Sequence, residues 1–218
     1  MNTDSSNSRG FTLIELLVVV AIMAILIGVA VPAFQGTGRG SKVRTALFQI
    51  NSHFNLARQM AITTRQDVYI LFPDNGLAYN DTTRGHAYSA YAVYGERDGY
   101  IGEWRRLPPG VVFNDIFKPN SDTIATQPRN VFLQTNTNYL KNVPFPNNSS
   151  PTKEDIFALT FRADGRLDVA GFYRKSIFIQ EGWVDTASVE PTFRPDSTIY
   201  GLEIQPVTGQ AKTREYNP

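Results

Sequence analysis

The sequence predicts an α+β protein: a long N-terminal helix, apolar in its first half and amphipathic in its second, packed on an antiparallel β-sheet head. Three observations predict it. Residues 16–31 are all apolar or glycine. Val43, Ala46, Leu47, Ile50, Phe54, Ala57 and Ala61 then recur at steps of three and four, the stripe of a helix packed on one side. After residue 66 the chain breaks into short runs rich in β-branched and aromatic residues, punctuated by Gly, Pro, Asn and Asp.

The apolar run, with Phe11, Leu13 and Ile14 before it, is long enough at about 1.5 Å per residue to cross a hydrocarbon core of about 30 Å. It is longer than the apolar stretch of a secretory signal peptide, and Val31-Pro32-Ala33 is a poor signal-peptidase site. A buried core helix would carry a polar stripe, which this run lacks. One carboxylate, Glu15, sits near its N-terminal end. An acid at the centre of a membrane helix costs roughly 2.5 to 3.5 kcal/mol, against roughly 0.3 to 0.6 kcal/mol contributed by each of the many Leu, Ile, Val and Phe side chains. Insertion survives Glu15, and a polar group so placed calls for a partner and a task.

Pro32 removes one helical hydrogen bond and crowds the preceding turn, and Gly28 weakens the same region. The pair marks a kink, a candidate flexible joint. From Leu16 to Gln66 the chain has no acid, while Arg39, Lys42, Arg44, Arg58 and Arg65 are all basic. Such a series suits anionic headgroups, the acidic surface of a neighbour or plain solvent. By a positive-inside count, Arg39, Lys42 and Arg44 outweigh Arg9 at the other flank, which taken alone favours the C-terminal side in the cytoplasm.

In the head, strands are expected at 67–72, 86–94, 111–113, 156–161, 176–180 and 199–204. Asp164-Gly165 reads as a two-residue hairpin turn and Asp74-Asn75-Gly76 as a similar one. Residues 114–155 collect Asn, Thr, Ser and Pro with few apolar anchors and read as a long surface excursion.

Composition narrows the chemistry. Of 218 residues, 21 are basic and 20 acidic, a net charge of +1, too weak a global field to argue for nucleic acid as the main partner. The absence of cysteine excludes disulfides, thiolate metal sites and a cysteine nucleophile. The two histidines, His53 and His86, form no metal-binding or catalytic spacing, and no nucleophile elbow or phosphate loop is present. Asp74, Asp81, Asp164 and Asp168 lack calcium-loop spacing. No catalytic residue, metal, cofactor or small-molecule substrate is assigned, and the chain is not expected to be an enzyme.

Arg9-Gly10-Phe11-Thr12-Leu13-Ile14-Glu15 resembles the cleavage and methylation motif of type IV prepilins and type II secretion pseudopilins. The resemblance implies that a membrane prepilin peptidase cuts after Gly10, removing the leader 1–10, and methylates Phe11. It places residues 11–38 in the membrane and later in a filament core, 39–66 in the amphipathic half of the stem, and 67–218 in a periplasmic head. It keeps the leader in the cytoplasm, against the charge count, and gives Glu15 the free amine of Phe11, in the same or an adjacent subunit, as its partner during assembly. A desolvated acid and amine compensate one another where either alone is costly.

Three further stretches, Arg106-Leu107-Pro108-Pro109-Gly110-Val111-Val112-Phe113, Leu159-Thr160-Phe161-Arg162-Ala163-Asp164-Gly165-Arg166 and Val207-Thr208-Gly209-Gln210, resemble in order and spacing the landmarks of the GspH and FimT group of minor pseudopilins and pilins. This implies a pilin-like fold and a minor pseudopilin that helps to initiate or cap a periplasmic pseudopilus for protein export. Its partners would be other pseudopilins or minor pilins, the peptidase and inner-membrane lipid. The alternative is a FimT-like minor pilin of a type IV pilus that binds DNA for uptake, with Arg194, Lys212 and Arg214 as candidate contacts. The chain departs from the group in its longer 114–155 stretch and in Gly209-Gln210-Ala211-Lys212, where an arginine often follows the glycine.

Overall fold

The computed structural model describes residues 12–37, 39–117, 129–130, 132, 139–168 and 175–216, with the side chains of all these except 29–37, 39, 40 and 129. The chain divides into two compact units, Met1–Ser41 and Lys42–Pro218.

The first unit contains helix α1, Leu13–Thr37. Among its described side chains, the large apolar ones from Leu13 to Ile27 are all exposed, from 41% at Val19 to 81% at Leu13. Among the described residues, no helix is long and apolar enough to cross a membrane. The part of α1 described with its side chains, residues 13–28, is shorter than the roughly 20 residues a span needs. The expected membrane segment, 11–38, runs past that part at both ends. The helix is continuous through Gly28 and Pro32, and the Pro32 ring lies outside the described side chains.

Helix α2, Arg39–Thr64, belongs to the second unit from Lys42 onward, and there it turns its whole predicted stripe inward: Val43, Ala46, Leu47, Ile50, Phe54, Ala57 and Ala61 are all buried. Two antiparallel sheets receive it. The first has the order β3-β2-β1-β8-β7 and is built from β1 (Val68–Phe72), β2 (Ala90–Gly95), β3 (Gly99–Tyr100), β7 (Tyr139–Pro144) and β8 (Lys153–Phe161), with β4 (Arg105–Arg106) beside β2. The second has the order β10-β9-β11-β12, from β9 (Lys175–Val184), β10 (Pro191–Phe193), β11 (Ile199–Ile204) and β12 (Ala211–Tyr216). Strand β9 also pairs with β5 (Val111–Asn114) and, in parallel, with β6 (Arg129–Asn130).

Alternation along the strands sets the core. Val68, Ile70 and Phe72 join Val93, Phe157, Leu159 and Phe161 from the first sheet, and Val111, Phe113, Ile177, Ile179, Leu202 and Ile204 from the second, around α2. On the opposite face of β1, Leu71 packs with Leu77, Val143, Phe145, Ile156 and Ala158 in a separate cluster, so the first sheet is apolar on both sides. Phe54 is 1% exposed, its ring 6.1 Å from that of Phe161. Phe54→Ala is expected to cost about 3 to 5 kcal/mol, measured by denaturant unfolding of the full chain in detergent, because the void is walled by both helix and sheet.

Four local expectations change. Strand 86–94 begins late, at Ala90, because Asn80 draws the chain into a turn. Its side-chain oxygen accepts from the N–H groups of Thr82 and Thr83, both at 3.0 Å, and a short 3-10 turn, Arg84–His86, follows. Asp74-Asn75-Gly76 is not a hairpin. Asp74 Oδ1 accepts from the Gly76 N–H at 2.9 Å, a side-chain turn in a long connection between β1 and β2. Asp164-Gly165 does reverse the chain, but in a wider turn. The Gly165 N–H donates to the Arg162 carbonyl at 2.7 Å, Gly165 takes φ 79°, and Phe161 faces Leu167.

The fourth concerns 114–155, which is anchored rather than free. It contains β6 and β7, and the Phe132 ring lies 5.1 Å from Phe157 and 5.8 Å from Phe72 and Phe113. A buried amide network fixes its entry: Asn114 Nδ2 donates to Gln180 Oε1 at 2.7 Å, and Asn130 Nδ2 donates to the carbonyls of Asn114 and Phe117 at 2.9 and 3.1 Å. Residues 118–128, 131 and 133–138 of the excursion lie outside the described residues.

The outer strands are poor templates for further pairing. Strands β3 and β4 have two residues each. Strand β7 shifts register between Leu140 and Val143, with Asn142 at φ 59°, and ends in Pro144. Strand β12 exposes Lys212, Thr213, Arg214 and Glu215.

Candidate assembly site

Thr12 and Glu15 close a capping box at the start of α1. Glu15 Oε2 accepts from the Thr12 backbone N–H at 3.0 Å and from Thr12 Oγ1 at 2.8 Å, and the Glu15 N–H donates to Thr12 Oγ1 at 3.3 Å. The Leu16 N–H donates to the Thr12 carbonyl at 3.2 Å, the first helical bond. In a helix continued further toward the N-terminus, the Thr12 N–H would bond the carbonyl of residue 8. Here the Glu15 side chain takes that donor instead, which fixes the helix start at Leu13.

Glu15 is therefore held by its own chain, through one oxygen. Both bonds converge on Oε2, leaving Oε1 for a second donor. Sequence reasoning singled out Glu15 and missed Thr12, although the signal was present: threonine three residues before an acid, ahead of an apolar run. Gly10 and Phe11, the expected processing residues, lie outside the described residues. Gly28 is in the helix body, where a Cβ would meet nothing within 4 Å.

The candidate nucleic-acid residues are not brought together as a free basic cluster. Arg194 Nη1 lies 3.4 Å from Glu181 Oε2. Arg214 Nε lies 3.3 Å from Glu203 Oε1, which also accepts from the Tyr216 hydroxyl at 2.7 Å. Burial, with that bond to Glu203, pushes the Tyr216 phenol up from its ordinary value. Lys212 stands opposite Glu203 in the β11–β12 ladder and lines a cavity of about 350 Å³ with Gln205, Thr208 and Gln210. Arg58, one of the five basic stem residues, is a structural tie: its Nε donates to the Gly165 carbonyl at 3.2 Å.

That tie explains two of the sequence landmarks. Gly165 and Gly209, at φ 79° and 65°, bring their turns together beneath α2. A Cβ on Gly209 would sit 2.4 Å from the Gly165 carbonyl oxygen and 2.9 Å from Arg58 Cδ, and one on Gly165 would sit 2.6 Å from Ile62 Cδ1. The third landmark glycine, Gly110, has φ 86° and accepts the Gly182 N–H at 3.0 Å.

Both histidines are engaged in packing. His53 Nδ1 lies 3.0 Å from the Tyr91 hydroxyl and 2.8 Å from the Gln49 carbonyl. His86 packs edge-on to Trp104 and Phe145, and burial, with Arg106 acting in the same direction, holds its pKa below the ordinary value. Among the described residues, no three His, Asp or Glu side chains gather to hold a metal.

Residues 5–31 match the family described as the prokaryotic N-terminal methylation motif. The chain thus carries a prepilin-type N-terminus, which supports a type IV pilin-like or pseudopilin-like protein. The motif implies processing by a prepilin peptidase and assembly with other pilins. No curated protein and no solved structure matches the chain.

Proposed function

We propose that the chain is a minor pseudopilin of a type II secretion system, of the GspH and FimT group, which helps to initiate or cap a periplasmic pseudopilus. The observation that carries this reading is a methylation motif over residues 5–31 that takes in the start of α1, whose described large apolar side chains, Leu13 to Ile27, are all exposed. A helix apolar on every side requires lipid or other helices around it. In this reading α1, with residues 29–37 included, spans the inner membrane once with the head in the periplasm, and is drawn into the filament after cleavage. Glu15 then offers Oε1 to the amine of Phe11 in an adjacent subunit, setting the depth of docking, while Gly28 and Pro32 supply a flexible joint. The Gly110, Gly165 and Gly209 turns, in the order of the group's landmarks, support its choice. Secretion is favoured over DNA uptake because Arg194 and Arg214 already face Glu181 and Glu203.

The test is the intact mass of the full chain, extracted from membranes of cells with a working prepilin peptidase and pseudopilins. The expected mass lacks residues 1–10 and carries one added methyl group, and the chain co-isolates with the pseudopilins. A retained leader would sink the reading.

A further inference from the structure

Two surfaces of the second unit match each other. The first lies on the first sheet, on the face turned away from α2. Thr160, Tyr69, Tyr94 and Tyr100 are cross-strand neighbours on β8, β1, β2 and β3 and so form one row. Because Val68, Ile70 and Val93 point into the core around α2, alternation along the strands turns this row outward, where its four side chains are half-buried. The Tyr69 and Tyr94 rings lie 6.4 Å apart and those of Tyr94 and Tyr100 5.2 Å, and Trp104 continues the series 5.6 Å from Tyr100. Burial pushes the Tyr69 phenol up, and the carboxylates of Glu96, Asp67 and Asp168 add to the rise. Among the described residues only Asp168 of these three has an ion pair, with Arg162 at 2.6 Å. The second surface is on α2, in a stretch that has no acid from residue 16 to residue 66. Arg44, Phe48 and Ser52 follow one another at steps of four on the side opposite the buried stripe, and all are exposed, Phe48 by 76%.

We infer that the chain docks on a second copy of itself, the Arg44–Phe48 face of α2 in one copy lying across the tyrosine row of the other. Charge and shape together choose this occupant. Four strands at a spacing of about 4.8 Å make a row about 14 Å long, enough to seat a helix about 10 Å across. Arg44 brings the charge that Glu96 and Asp67 attract, and a guanidinium over tyrosine faces gains a cation–π attraction besides. Phe48 leaves water for a surface of aromatic rings, where tilted and edge-on contacts are favourable. The same carboxylates repel an anionic partner, nucleic acid included. Since the row and the helix face are different patches, each copy in such a pair keeps one of them for a further copy. The contact is therefore heterologous and extends into a helical array instead of closing as a twofold dimer. The inference goes beyond the assembly reading and is tested apart from it, because the experiment needs neither leader cleavage nor another pseudopilin.

The chain has no cysteine of its own, so introduced thiols report the contact without interference. Full-length Ser52→Cys and Thr160→Cys chains carrying different tags are mixed in detergent micelles at low salt and oxidised with copper–phenanthroline. A disulfide between the two chains is expected, well above the collision background given by Ser52→Cys mixed with Ser188→Cys, whose serine is exposed between β9 and β10. Arg44→Glu in the Ser52→Cys chain should lower the yield at least about fivefold, and Glu96→Arg in the Thr160→Cys chain should then restore it. Both side chains are exposed, so neither change threatens the fold. A yield no higher than background, one untouched by Arg44→Glu, or one that Glu96→Arg fails to restore would overturn the inference.

Discussion

Glu15→Gln is expected to be inserted and cleaved normally, yet to enter filaments at least about tenfold less well than the native chain, because the charge proposed to answer the liberated amine is gone while the size of the side chain is kept. Quantitative mass spectrometry of sheared filaments against the membrane pool measures the ratio. Equal incorporation of the two chains would remove the role assigned to Glu15. Thr12→Val gives a milder version of the same loss. It removes the hydroxyl that donates to Oε2 but leaves the backbone N–H in place, so the carboxylate is less well aimed while its charge survives. Thr12→Ser restores the hydroxyl and should restore incorporation.

Gly209→Ala should be the most damaging small substitution in the head. The added Cβ meets the Gly165 carbonyl oxygen at 2.4 Å, a backbone atom that cannot swing aside, and the position is left-handed at φ 65°. Strain of that kind costs about 1 to 3 kcal/mol before the collision is counted, so the melting temperature should fall by roughly 10 °C. Gly110→Ala is the control. It suffers the same backbone penalty at φ 86°, but its Cβ would meet nothing within 4 Å, and the fall should be about half as large. Similar losses for the two variants would show that the contact between the turns contributes little.

The parts of the fold legible in the sequence were those where burial is periodic. The stripe of α2 reads directly because each of its members faces the same core, and β1 and β11 read because hydrophobic strands buried on both faces stand out in any window. Strands β7 and β12 escaped notice because they are outer strands, with exposed charges and, in β7, a bulge in place of clean alternation. The excursion looked unanchored because its apolar anchors, such as Phe132, Val143 and Phe145, are sparse and its remaining ties are amides. Asn114 and Asn130 read as loop residues until Gln180 is placed against Asn114. At the assembly site, Glu15 was conspicuous as an acid in an apolar run. Thr12 was overlooked because a threonine there reads equally as part of the processing motif, and only the bonds to Oε2 give it a second task.

The blunted outer strands have a consequence for life in a crowd. Subunits that are gathered side by side hold their heads at very high local concentration for as long as the fibre lasts. A head with a flat, greasy border would zip onto its neighbour and turn an ordered, reversible polymer into an amyloid-like one. Among the described residues, the two-residue borders, the kinked β7 and the charged β12 are poor templates of that kind, which in the proposed assembly leaves growth to be directed by the anchors and undone when they let go.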